Sequence, residues 1–217
     1  MIAAGRRMAL LRRRRYNSAM TTALLSPARV RVPQSAPRLL TFADLAALPT
    51  SLPTGDVKYE LDDGALVVMS PPGGIHARKQ GKAIVILGHH AEAKGLGEYR
   101  GEAMVVLRRN PDRAVAPDAM FHTTDQLPVK HSKEGYLETI PKLVVAVRSK
   151  NDTWPEVESK AAEYLAAGVE RVWVVDDAKK MITAFGSGVA TQVFAAADIL
   201  TAPFLPGFAV PVADFFA

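Results

Sequence analysis

The 217-residue chain contains no cysteine. That excludes disulfide scaffolds and thiolate metal sites, and it fits a reducing compartment such as the cytoplasm. Long apolar runs are also missing: Leu143 to Val147 falls far short of the roughly 20 residues a membrane helix needs. There is no phosphate-binding loop ending in Gly-Lys-Ser/Thr and no Gly-x-Ser-x-Gly elbow. Gly95-Leu96-Gly97 follows a helical pattern and precedes a strand pattern, the reverse of a dinucleotide fingerprint, and reads as a helix stop. The histidines lack zinc spacing. His89 and His90 are neighbours and project about 100° apart on a helix, while His122 and His131 read as solvated positions on either side of a polar loop.

Acidic residues are absent from one segment altogether. Residues 1–43 hold nine arginines, no lysine and no carboxylate. Taking these nine from the 27 basic residues leaves 18 against 22 acidic ones, so the formal charge of +5 belongs to the tail and the body is acidic. A pI of 9.5 is therefore no argument that the fold binds nucleic acid. Three readings fit the tail. Arg12 to Arg15 form a phosphate-clamping arm, or the segment is an Arg-rich targeting peptide, or the working protein starts near Met20. Pro27, Pro33 and Pro37 argue against packed structure before Leu40. The expectation is a poorly ordered extension over 1–40 and one domain over 41–217. With 48% hydrophobic and 23% charged residues, that domain is ordinary globular protein able to bury its own core.

Within it, Thr41 to Asp44 reads as a capping box opening a short helix. Tyr59 to Ser70 reads as two strands around Asp62-Asp63-Gly64. Ile75 to Lys94 carries helical periodicity. Glu98–Leu107, Pro117–His122 and Lys142–Arg148 read as three strands, the last buried. A second capping box at Thr153–Glu156 opens a helix to Ala167, stopped by Gly168. Arg171–Asp176 is a further buried strand, and Met181–Phe194 a hairpin turned at 186–188. The order helix, three strands, helix, strand makes a mixed α/β layer fold.

The chemistry left is an arrangement of carboxylate and amine. Asp118 follows Pro117 at a strand entry. Val144, Ala146 and Arg148 share one face of the next strand. Lys160 borders the sheet-facing stripe of the following helix, three residues after Val157 and four before Tyr164. Such groups suit metal-assisted phosphodiester hydrolysis, in which carboxylates hold a divalent ion and a lysine stabilises developing charge.

These residues carry a resemblance. Tyr59-Glu-Leu-Asp-Asp-Gly64, Met69-Ser-Pro-Pro72, Ala116-Pro-Asp118, Leu143-Val-Val-Ala-Val147 with Ser149, Lys160-Ala-Ala-Glu-Tyr164 with Gly168, Val172-Trp-Val-Val-Asp176 and Leu205-Pro-Gly-Phe208, in this order, resemble the Uma-two family of restriction-endonuclease-like proteins of bacteria, within the PD-(D/E)XK nuclease superfamily. The resemblance implies a restriction-endonuclease-like core with a central mixed sheet flanked by helices and added N- and C-terminal strands. It also implies a cytoplasmic endonuclease acting on DNA, with Mg²⁺ or Mn²⁺ as cofactor, working as a homodimer. It makes Asp118 and Glu60 metal-binding and Lys160 catalytic, with His76 and Arg148 as substrate contacts. Ala146 stands where the family has a metal-binding glutamate. A methyl group binds no cation, so metal binding is expected to be weakened and activity is in question. Either an inactivating change was introduced, or the lineage lost catalysis and kept a nucleic-acid-binding or regulatory module. A sugar or nucleotide hydrolase on another α/β fold lacks the second acidic pair it would need.

Overall fold

The computed structural model describes residues 38–217, except Thr54 and Ser70–Pro72, together with the backbone pairing of Val30–Arg31. That pair (β1) lies antiparallel to Val67–Val68, so a short piece of the proline-containing segment joins a sheet. The arginine run at 12–15 and the rest of the tail lie outside the described residues.

The first layer begins at α1 (Phe42–Ala46), whose Thr41 and Asp44 exchange the expected capping-box bonds. A two-residue ladder follows, Ser51–Leu52 (β2) with Gly55–Asp56 (β3). Then comes the expected hairpin, β4 (Lys58–Asp62) with β5 (Ala65–Met69). Its turn uses Asp63 and Gly64 at φ +53° and +76°, positions where a short polar residue and glycine are the least strained choices. The long helix α2 covers Gly74–Ala91.

One expected strand divides in two. In place of a continuous Glu98–Leu107 strand there are β6 (Gly97–Arg100) and β7 (Val105–Arg108), in different sheets. The chain breaks at Gly101–Glu102, where Glu102 adopts φ +54°, incompatible with continued extension. The strand β8 (Arg113–Val115), absent from the sequence reading, pairs with β7 and β4. Five strands thus form one sheet in the order β1-β5-β4-β8-β7.

The second sheet is the expected core. It comprises β6, β9 (Ala119–Thr123), β10 (Leu143–Val147), β11 (Arg171–Asp176), β12 (Met181–Gly186) and β13 (Val189–Ala195). The strand order is β13-β12-β11-β10-β9-β6, with only β10 and β11 parallel among the described pairs. The crossover between those two is α3 (Trp154–Ala166), opened by the Thr153–Glu156 capping box with Pro155 in its first turn. A last ladder, β14 (Ile199–Thr201) with β15 (Ala209–Pro211), supplies the expected C-terminal strands.

Period-two alternation sorts the core. Leu143, Val145, Val147, Trp173 and Val175 face Ala83, Leu87 and Ala91 of α2. Val144, Val172 and Val174 face Val157, Ala161 and Tyr164 of α3, with Val115 of the first sheet. Close approach fixes both ends of this packing. At Gly88 an added Cβ would lie 2.5 Å from the Tyr99 ring; at Gly97, φ +151°, it would lie 2.0 Å from the His122 carbonyl.

His122 differs from its solvated reading. It is fully buried in β9; Nε2 faces the Thr139 carbonyl at 3.0 Å and Nδ1 faces Arg100 at 3.3 Å. Burial, opposed by the Thr139 hydrogen bond, lowers its pKa. The geometry suits the neutral ring with the proton on Nε2. His131 is exposed, as expected.

Gly97→Ala is expected to lose about 2–4 kcal/mol, through backbone overlap at a left-handed φ. Gly81→Ala, mid-helix with nothing within 4 Å, is expected to gain about 0.5–1 kcal/mol. Urea denaturation of both variants checks the contrast; equal midpoints would contradict it.

Candidate active site

The segment Arg113–Asp118 leaves the five-stranded sheet and enters the six-stranded one, and the site forms where it crosses. Glu60, on β4, is 1% exposed and its Oε1 accepts the Ala116 N–H at 3.1 Å. Arg113, also buried, donates to the Leu61 carbonyl at 3.0 Å and pairs with Glu163 of α3 and with Asp62. One face of β4 and one flank of α3 are thereby held against the crossing segment.

Asp118 sits at its end. The β9–β10 register runs Leu143–Phe121, Val144–Met120, Val145–Ala119; one more step sets Asp118 opposite Ala146, where cross-strand partners share a face. By the strand alternation Ala146 lies on the α3 side, while the Asp118 carboxylate, just before β9, reaches the β10 backbone and α2. Asp118 Oδ2 accepts the Val147 N–H at 2.7 Å and Oδ1 meets His76 Nε2 at 2.9 Å. His76 lies in the first turn of α2 and is raised above its ordinary pKa by the Asp118 hydrogen bond, against the opposing effect of burial. Gln80, one helical turn on and therefore on the same flank, donates to the Asp118 carbonyl at 3.1 Å. Beside this flank opens a cleft of about 440 Å³ lined by Lys58, Gln80, Gly81 and Glu102 among others. Lys58 and Glu102 form an ion pair.

Lys160 is half-buried on α3, between the buried residues Val157 and Tyr164 of the sheet-facing stripe. Glu163 pairs with Arg113, and one oxygen of Glu156 accepts the Thr153 cap bonds. Among the described residues no hydrogen bond or ion pair joins Lys160 to Asp118 or Glu60. Arg148, expected as a substrate contact, has partners within the protein. Its guanidinium donates to Asp176 Oδ2 at 2.7 Å and to the Asp152 carbonyl at 2.8 Å, and lies 5.7 Å from the Trp154 ring centroid. It holds the loop that feeds α3.

The structure therefore brings together Asp118, His76 and the backbone of Val147. It ties Glu60 to the crossing segment through the Ala116 N–H, shows no hydrogen bond or ion pair between Lys160 and these groups among the described residues, and engages the Arg148 guanidinium within the protein. Sequence reading missed Gln80 and the Glu102–Lys58 pair. The i, i+4 spacing of His76 and Gln80 was the available signal for Gln80; nothing local marks the pair, which joins two elements.

The donor set does not fit a divalent cation as it stands. Hard cations need several oxygen ligands. Both oxygens of Asp118 are engaged and Ala146 contributes a methyl group. Among the described residues no three His, Asp or Glu side chains cluster as a ligand group.

A family model described as Uma2, "Putative restriction endonuclease", matches residues 42–213. The chain belongs to this family. Among solved structures it is similar to "a putative nuclease belonging to DUF820 from Anabaena variabilis ATCC 29413". The TM-score is 0.65 and the identity 16%, over 82% of this chain and 97% of that one. At this identity the likeness shows the nuclease-like fold alone. No curated protein matches the chain. Among the described residues no helix is long and apolar enough to cross a membrane.

The His76–Asp118 contact carries a pH dependence. A histidine raised above 6.5 by a carboxylate stabilises the fold below its unfolded pKa, and that contribution is lost as pH rises through the folded value. His122, lowered by burial, acts in the opposite sense, so the parent's overall pH profile mixes the two. The difference between parent and His76→Gln isolates the first. It is expected to favour the parent below about pH 6.5 and to shrink at higher pH. Thermal denaturation from pH 5 to 9 measures it; a pH-independent difference would remove the ion-pair assignment.

Proposed function

We propose that this chain is a bacterial, cytoplasmic protein of the restriction-endonuclease-like class, built around a DNA phosphodiester-hydrolysing centre that lacks one carboxylate. The observation that carries the reading is the β9–β10 register, whose last pair, Val145–Ala119, makes Asp118 and Ala146 the next two positions in line. Two adjacent antiparallel strands present opposite positions to one face, with an acid at one and a methyl at the other. Glu60 is bonded to the crossing segment, and Lys160 borders the sheet-facing stripe of α3.

In this reading Asp118 is the anionic anchor of the centre. Glu60 fixes the crossing segment that presents it and adds negative charge. Lys160, an ammonium on a half-buried stem, stabilises phosphoryl oxygens as charge develops on them. His76 holds Asp118 on the solvent side and offers a cationic ring to a phosphate when protonated. A complete centre would take Mg²⁺ or Mn²⁺, which in such enzymes polarises a phosphoryl oxygen or activates water. With alanine at 146 no metal-assisted step is assigned to the chain as it stands. DNA as substrate, and a homodimer able to reach both strands, follow from family membership as expectations of this reading. Alanine at 146 also favours a second reading, a non-catalytic nucleic-acid-binding or regulatory module on the same fold.

Ala146→Glu separates the two. The added carboxylate would lie opposite Asp118 and supply a second anion, whereas glutamine has nearly the same shape and no charge. Ala146→Glu is expected to bind Mn²⁺ in a calorimetric titration and to nick plasmid DNA; Ala146→Gln is expected to do neither. A folded Ala146→Glu chain inert in both assays hands the case to the binding module.

A further inference from the structure

Tyr164 carries a buried hydroxyl that has no hydrogen-bond partner among the described residues. The residue is 1% exposed, within the core between α3 and the sheet. Burying a donor without an acceptor is unfavourable, and such groups usually mark a role. Three facts say where this one points. A tyrosine on a helix leans toward the helix N-terminus, here toward the turn carrying Lys160. Tyr164 borders a narrow void, too small for a water molecule, together with Pro117, which precedes Asp118, and Val144. Val144 lies two residues before Ala146 on the same strand face. Burial above all, with the nearby charges of Glu60 and Asp118, holds its proton on. It therefore keeps a proton to donate, on the side of α3 that meets Val144 and Pro117, next to the crossing that carries position 146 and Asp118.

We propose that Tyr164 is a positioning residue of this centre: its hydroxyl is placed to donate to a carboxylate at position 146, and it stands unpaired because Ala146 offers only a methyl group. The proposal rests on the reading of position 146 as a missing acid. It adds the group that would orient that acid, through which a metal or phosphate contact would be tuned.

The test is a double-mutant cycle read first by thermal denaturation without metal. In the parent, Tyr164→Phe removes an unpaired polar atom and is expected to leave Tm unchanged or raise it. In the Ala146→Glu background the same substitution is expected to lower Tm by about 2–4 °C. It should also weaken Mn²⁺ binding by about tenfold, an effect that a purely structural hydroxyl would not produce. Glutamine also accepts a hydrogen bond, so Ala146→Gln serves as the second background should the glutamate variant not fold. An identical Tm shift in all folded backgrounds overturns the proposal, whether or not Ala146→Glu cleaves DNA. Coupling in Tm without cleavage upholds the positioning role and removes the nuclease reading instead.

Discussion

The hydrogen bond from the Ala116 N–H to the buried Glu60 carboxylate ties the segment that passes from β8 to β9 back onto the sheet it leaves. A carboxylate with 1% exposure is tolerated only when its lone pairs are met, so the crossing segment is committed to lie against β4. Arg113 enforces the same geometry from the other side, tying Leu61 and Asp62 of β4 to Glu163 of α3. Pro117 then suits the position after Ala116, since it brings no N–H to be left unpaired in the crossing. Asp118 emerges with one oxygen directed to the neighbouring strand and the other to α2.

The candidate site draws on five elements that share no local sequence. β4 gives Glu60, α2 gives His76 and Gln80, the β9–β10 pair gives Asp118 and position 146, and α3 gives Lys160 and Tyr164. Each arrives by a different structural commitment. The capping box and the Arg148 clamp on the 149–153 loop fix where α3 begins. Helical phase then decides that Lys160 and Tyr164, four residues apart, lie on the stripe that meets the sheet. None of these commitments involves the side chain at position 146, so the fold does not depend on what that residue is.

What was legible in the sequence was local. The starts of α1 and α3 are written in their capping boxes, the hairpin turns in Asp63-Gly64 and Gly186-Ser187-Gly188, and the buried strands in valine runs whose alternation separates Ala146 from Val145 and Val147. The motif order pointed to the family that the match over 42–213 then showed. What escaped was non-local. The break at Gly101–Glu102 sends one apolar stretch into two sheets, a decision made by β8 and β9 rather than by residues 98–107. His122 looked like a loop histidine because its partners, Thr139 and Arg100, lie 17 and 22 residues away. Arg148 looked available for a phosphate until Asp176 and the Asp152 carbonyl were seen to occupy it. The unpaired hydroxyl of Tyr164 is invisible to any pattern, because an unmet hydrogen bond is a property of three dimensions.

The contact at Gly88 has a mechanical meaning. With no side chain there, the Tyr99 ring lies against the bare backbone of α2, as a key lies in a keyway, and the helix cannot turn about its own axis without driving backbone into ring. An α-helix carries such a constraint along its length with little loss, at 1.5 Å and 100° per residue. His76 is twelve residues upstream, about 18 Å along the same rigid rod. The azimuth at which its imidazole meets Asp118 is thus set at the far end of the helix, by the smallest residue on it.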